Sequence, residues 1–348
     1  MNEYDVIVIG GGQSGLAAGY YLRRSHLRYI ILDKENHPGG SWQYFWKSLR
    51  LFSPAQWSSL PGIIMNGGPN YYATRDETIQ YLTDYEKKYE LNVLRPVEVW
   101  SVTKTGDYFS FDTTKGLFQS KAVISATGSF GNPLLPEFEG MQNFKGKILH
   151  SSRYQSPEEF SGKRVAIVGE GNSGAQILAE VSKHAETLWI TLEEPKFLPD
   201  HVDGRFLFDA ATQMYEAKLQ GKDYKPPTLK DIVVVDSVRE ARERGVFEKS
   251  LRPFDHFTTD SLVWKDGRTE KVDAVIFCTG FKNSLEHLKS LPIFDADGKV
   301  LTEETRSKTV KGLWFLGYGN WTGFASATLI GVGRSARQTV NEIIEYLK

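Results

Sequence analysis

The sequence predicts an α/β protein of two Rossmann-like dinucleotide-binding domains, the second inserted into the first, each with a small β-meander. Three observations predict it. Two glycine turns, GGGQSG at residues 10–15 and GEGNSG at residues 169–174, each follow a β-branched run and open a helix-like stretch. Each unit then continues into alternating apolar and polar residues that close on a Thr-Gly turn, Ala126-Thr127-Gly128 and Cys278-Thr279-Gly280. Between the units lies FKGKILHSSRY, residues 144–154, with the spacing FxGxxxHxxxY. A lone GxGxxG says little, because 32 glycines in 348 residues give roughly one chance match in four such chains. The eleven-residue spacing arises by chance in roughly 0.2% of them.

Taken in order, YDVIVI reads as a buried strand entered at Asp5, SGLAAGYYLRR as a helix with small residues at its start, and YIILD as a second buried strand. In such a turn the first glycine permits the bend, the second admits a pyrophosphate to the backbone, and the third lets the helix pack on the strand. Gly10, Gly12 and Gly15 meet this requirement, with free N–H groups and a helix dipole behind them. Asp33, at the end of the second strand, is placed to accept hydrogen bonds from a ribose diol. Residues 98–128 alternate around turns at Thr105-Gly106 and Lys115-Gly116, which predicts the first meander.

Residues 131–136 and 144–154 have the punctuation of a linker. KRVAIVG, SGAQILAEVSKH and TLWIT then repeat the strand, helix and strand of the first unit, with Gly169, Gly171 and Gly174 in the same roles. Residues 192–230 are more charged, lack a strand pattern and read as helix and loop over the cofactor cleft. FTTDSLVWKDGRTEKVDAVIF supplies the second set of hairpins, and residue 281 onward the return crossing. The predicted division is residues 1–150 with 285–348 for the first domain and 155–282 for the second.

Composition narrows the function. With 40% hydrophobic and 24% charged residues and a formal charge of −1, the chain has no electrostatic footprint for nucleic acid or an anionic membrane. Small, roughly neutral partners fit better. No apolar run approaches membrane-spanning length, and the N-terminus enters a strand without a charged or long apolar leader, so a cytoplasmic protein is expected. Cys278 is the single cysteine, which excludes a redox-active cysteine pair; within AVIFCTG it reads as a small buried residue. The seven histidines show no metal-ligand spacing, and no metal is expected.

These motifs, with PGGSW at residues 38–42 and GYGNWTGFASATLIGVGRSA at residues 317–336, make the chain resemble the class B flavin monooxygenases over essentially its whole length. It is especially similar to the small bacterial flavin-containing monooxygenases. The resemblance implies FAD in the first site, NADH or NADPH in the second, and oxygen as cosubstrate. It implies oxygenation of a soft nucleophile such as a thioether, or of a ketone in a Baeyer–Villiger reaction, through a flavin C4a-hydroperoxide. Carried onto this chain, it places Gly10, Gly12, Gln13, Ser14 and Gly15 at the FAD pyrophosphate and Asp33 at its ribose, with Lys34 also among the FAD-binding residues. Val99 would meet the adenine through its backbone. Gly40, Ser41 and Trp42 would hold the rest of FAD, Ala126 and Thr127 would close over it, and Ser326 to Leu329 would begin a final helix aimed at the flavin. Gly169, Gly171, Asn172, Ser173, Gly174, Thr191 and Glu193 would bind the nicotinamide cofactor. The family commonly forms dimers.

The aromatic run SWQYFWKSLRLFSPAQW has the composition of a dry pocket wall, part of it core. Phe144, His150 and Tyr154 read as structural rather than as acid–base catalysts. The chain departs from the family pattern at Phe52, a flavin-adjacent position where many members carry an asparagine. Loss of that amide predicts weaker coupling of cofactor oxidation to oxygenation. It departs again at Thr191-Leu192-Glu193-Glu194, where carboxylates suit a free ribose 2′-OH better than a 2′-phosphate and predict good use of NADH. The alternatives are an uncoupled NAD(P)H oxidase or flavin reductase releasing hydrogen peroxide, and a non-catalytic flavin-binding sensor.

Overall fold

The computed structural model describes residues 2–223 and 231–348. Its first unit begins with β1 (Asn2–Ile9), α1 (Gln13–Leu22), β2 (Tyr29–Leu32), α2 (Arg75–Lys88) and β3 (Val93–Leu94), then β4 (Val99–Thr105), β5 (Tyr108–Thr113) and β6 (Gly116–Ser125). The second holds β7 (Lys147–His150), β8 (Arg164–Val168), α3 (Asn172–Val181), β9 (Glu186–Ile190), α4 (Gly204–Leu219), α5 (Asp236–Glu243), β10 (His256–Phe257), β11 (Ser261–Val263), β12 (Thr269–Lys271) and β13 (Ala274–Phe277). The chain then returns to the first through β14 (Thr302–Glu303), β15 (Arg306–Ser307), β16 (Leu313–Phe315) and α6 (Gly331–Tyr346).

Side-chain alternation on the strands sets three layers in each unit. On β1, Val6 and Val8 pack with Leu16, Tyr85 and Ala336 of the helices, while Ile7 and Ile9 pack with Val102, Phe109 and Phe111 of the meander. In the second unit Val165 and Ile167 meet α3 and α5 through Ile177 and Val238, and Ala166 meets Phe257 and Leu262 of the β10–β12 meander. The first sheet runs β14-β15-β16-β6-β1-β2-β3, and the second β7-β13-β8-β9 with parallel pairing throughout. Antiparallel β4 and β5 join the first sheet through β6. Both glycine turns therefore sit at the carboxyl ends of parallel strands, where open α/β sheets bind ligands.

Three expectations are corrected. β1 starts at Asn2 rather than Asp5, because residues 2–4 pair with Phe118, Gln119 and Ser120 of β6. The segment 144–154 is not a plain linker: residues 147–150 form β7, the edge strand of the second sheet, in register with Ala274 to Phe277. The inter-unit crossings form a two-stranded ribbon at Pro133 and Phe281, inside the expected linker 131–136 and at the expected return residue, fastened by Leu134 N to Gly280 O at 2.9 Å and Lys282 N to Asn132 O at 2.8 Å. Finally, α6 begins at Gly331, not at Ser326, because Ala325 takes a positive φ of 58° and residues 325–328 close a separate turn through Thr328 Oγ1 and Ala325 O. Of the expected helix and loop at 192–230, α4 is seen; residues 224–230 lie outside the described residues. Among the described residues no helix is long and apolar enough to cross a membrane.

Candidate active site and cofactor cleft

The first glycine turn is fixed by contacts that leave no room for side chains. Gly10 has φ +103°, and a Cβ on it would lie 2.6 Å from Ala126 O; one on Gly15 would lie 1.9 Å from Gly10 O. Gly12, the N-cap of α1, supplies no side-chain cap, so the first N–H groups of the helix point outward without an intrahelical partner. Gly40 crosses close above: a Cβ there would lie 2.7 Å from Gly12 Cα. This cradle can hold an anion against backbone donors and a helix dipole. It opens into a cleft of about 770 Å³ that also reaches Gln13, Ser14, Asp33, Lys34, Ser41, Trp42, Val99, Ala126, Thr127 and Leu329. Ser326 is outside that wall: it is buried, and its hydroxyl donates to Gly319 O at 2.8 Å.

Asp33 is buried at the cleft wall, and its Oδ2 accepts from Arg95 Nε at 2.7 Å. Arg95 also forks onto Glu86 of α2 at 2.6 and 2.8 Å. Burial works against the guanidinium, but Glu86 and Asp33 outweigh it and raise its pKa. The ion pair thus fixes the orientation of the Asp33 side chain at the cleft wall. Arg95 and Glu86 carry no motif, and sequence reasoning missed both.

The other end is aromatic. Trp42, Phe45, Phe130 and Phe281 follow one another at centroid separations of 5.3, 4.8 and 5.2 Å along the cleft. Phe52 and Trp57 also line it, whereas Trp46 is buried in the core of the second unit against Tyr154. Trp42 Nε1 donates to Gln13 Oε1 at 3.1 Å, and Gln13 Nε2 donates to Ala327 O at 2.7 Å, tying the aromatic run to the glycine turn and the C-terminal turn. Phe52 O accepts from Gly204 N at 3.0 Å, and its ring leaves no space for a Cβ on Gly204, so the start of α4 rests on it.

Behind the Thr-Gly turn lies a buried polar network that the sequence did not announce. Tyr318 OH lies 2.6 Å from Ser125 Oγ and 2.7 Å from Thr127 Oγ1, and Thr127 Oγ1 donates to Ser284 O at 2.6 Å. His287 lines the cleft with Nε2 3.3 Å from Ser125 Oγ; burial pushes its pKa down to about 4, so it is neutral at pH 7. His150 is also shifted down by burial. Its Nδ1 accepts from Ser152 N at 3.1 Å, and its Nε2–H donates to Gly280 O at 3.0 Å, at the return crossing.

The second turn repeats the first. Gly169 has φ +131°, and a Cβ on Gly174 would lie 2.2 Å from Gly169 O. Gly171 caps α3 without a side chain and has open space around it. Asn172 turns its Oδ1 to Val233 N at 2.8 Å, and Thr191 is buried while Glu193 is exposed. None of residues 169–174, nor Thr191 or Glu193, lines the first cleft, so the two turns lie apart. Cys278 lies beneath the second turn, and burial pushes its thiol up to about 12, which makes it inert as a nucleophile at neutral pH. Among the described residues no group of three or more His, Cys, Asp or Glu is arranged to hold a metal.

Residues 7–203 match the family model described as pyridine nucleotide-disulphide oxidoreductase. A flavin-containing monooxygenase from Stenotrophomonas maltophilia is 48% identical with a TM-score of 0.90, each chain fully covered. An uncharacterized CzcO-like oxidoreductase of Geobacillus kaustophilus is 32% identical over 98% of this chain and 99% of its own. The S-allyl-L-cysteine S-oxygenase of Allium sativum shares the fold at TM-score 0.69 and 18% identity, over 99% of this chain and 80% of its own.

Proposed function

Because the chain belongs to the pyridine nucleotide-disulphide oxidoreductase family, and within it to the flavin monooxygenases that use FAD and NAD(P)H, we propose that it transfers one oxygen atom from O2 to soft nucleophiles, sulfides before ketones. The aromatic ladder from Trp42 to Phe281 carries this reading: it offers an apolar, water-poor surface beside the anion cradle, suited to an uncharged thioether. Bound FAD supplies the oxygen-activating chemistry. The residues of the chain bind, orient and exclude water.

On this reading Gly10, Gly12, Gln13, Ser14 and Gly15 take the FAD pyrophosphate, Asp33 and Lys34 flank its ribose, and Val99 meets the adenine. Gly40, Ser41, Trp42, Ala126, Thr127 and Leu329 enclose the remainder. Gly169, Gly171, Asn172, Ser173 and Gly174 take the nicotinamide dinucleotide pyrophosphate, with Thr191 and Glu193 toward its ribose. The carboxylates at 193 and 194 support good use of NADH.

Phe52 favours a second outcome alongside the first. It stands in the cleft wall with no side-chain hydrogen-bonding group, and its carbonyl is taken by Gly204. Part of the NAD(P)H oxidised is therefore expected to end as hydrogen peroxide. The test is aerobic turnover of an aryl methyl sulfide with NADH and NADPH in parallel, measuring sulfoxide and peroxide together. Sulfoxide from both, with peroxide lowered in Phe52→Asn, is the expected result. Peroxide alone leaves an oxidase, and a kcat/KM favouring NADPH by more than about tenfold overturns the NADH reading.

A further inference from the structure

The two glycine turns share one plan and differ at the place that meets the adenosine ribose. In the first, the residue between the first two glycines is Gly11, and a Cβ added there would lie 2.6 Å from Asp33 Oδ2. That position aims straight at the carboxylate that follows β2. In the second turn the equivalent residue is Glu170, and the residue following β9 is Thr191. Glycine and carboxylate in the first site have become carboxylate and hydroxyl in the second.

Glu170 is also fastened. Its Oε2 accepts from Leu192 N at 3.0 Å, so the carboxylate lies over the strand end where Asp33 stands in the first unit. Thr191 Oγ1 accepts from Arg252 Nη1 at 2.9 Å, which brings one guanidinium to the same strand end. Glu193, by contrast, is exposed two residues farther along.

We infer that Glu170, supplied by the glycine turn rather than by the strand end, is the residue that reads the ribose 2′ position of the nicotinamide dinucleotide, and that it selects the free hydroxyl. This rests on the reading of the second turn as the NAD(P)H site. A carboxylate accepts a hydrogen bond from a 2′-OH and repels a 2′-phosphate. Arg252 supplies a partly compensating charge, so NADPH is disfavoured but not refused.

Titration calorimetry on the FAD-loaded protein tests this with NAD+, NADP+, ADP-ribose and 2′-phospho-ADP-ribose, none of which requires turnover. Glu170→Gln keeps an oxygen for Leu192 N, and Glu170→Gly installs the residue found at Gly11, so two variants guard against a folding artefact. In both, the ratio of the NADP+ to the NAD+ dissociation constant is expected to fall about tenfold, with the same trend for the two ADP-riboses. In Arg252→Ala the ratio is expected to rise. An unchanged ratio in Glu170→Gln, with a shift in Glu193→Gln, overturns the inference and returns selection to the loop after β9. A wild-type protein that binds neither dinucleotide overturns the second-site reading itself, a result distinguishable from binding with an unmoved ratio.

Discussion

His287 shows how a single residue of the cleft wall links the site to stability. Burial holds its folded pKa at about 4 against an ordinary 6.5, so the folded state keeps it neutral. The unfolded chain takes up a proton below pH 6.5 that the folded one refuses until about pH 4. Stability is therefore fully present above 6.5 and falls as pH drops through that window, by about 3 kcal/mol. Urea midpoints between pH 7 and 4.5 should fall more steeply for the wild type than for His287→Gln; equal slopes would show that His287 is not buried neutral. No sequence pattern marks His287, nor Arg95 beside Asp33, because their roles come from neighbours brought together by folding. The glycines were legible, since Gly10 takes a positive φ and a Cβ at Gly15 collides with Gly10 O inside the turn itself.

At the scale of elements, local rules were legible where they act within a few residues. The hairpin turns at Gly106 and Gly116 and both strand–turn–helix units stand as expected. α2 went unread although it has a local signal, a capping box in which Thr74 Oγ1 accepts from Glu77 N and Glu77 from Thr74 N. What the sequence could not reveal is docking, as with β7, whose pairing partner lies more than a hundred residues away, or α4. The start of α4 is held to the first unit by Asp203, which accepts from Tyr72 OH and from Arg205 N at 2.9 Å, while Arg205 lies over Trp57. Burial and the bond to Asp203 raise the Tyr72 phenol to about 12, so it remains a donor through neutral pH. Tyr72→Phe should cost about 1 kcal/mol and speed hydrogen exchange in the first turn of α4, with no pH dependence of that difference between about 6 and 9. Unaltered exchange would place the hold on α4 in the contacts of Gly204 with Phe52 and of Arg205 with Trp57.

Across the whole molecule, the two-unit plan and its crossings near Pro133 and Phe281 were readable from motifs and punctuation, but the side-chain joint between the units was not. Tyr154, the last residue of FxGxxxHxxxY, donates to Glu180 Oε2 of α3 at 3.1 Å, and Ser48 of the aromatic run donates to the other oxygen from 132 residues away. Trp46 packs on Tyr154 beside them. Burial raises the Glu180 pKa, with Ser48, Tyr154 and Trp46 opposing the shift, so the carboxylate remains costly unless its donors stay in place. Helix α3 of the second unit and the aromatic segment of the first thus share one partly buried acceptor. Removing it in Glu180→Ala strands the buried Tyr154 hydroxyl and is expected to cost about 1–3 kcal/mol. Tyr154→Phe, which removes the donor with its need, should cost less. In a double-mutant cycle by chemical denaturation, the pair should couple by at least about 0.5 kcal/mol. Additive losses would mean that the two residues stabilise their own units separately, and that the joint rests on the ribbon at Pro133 and Phe281 instead.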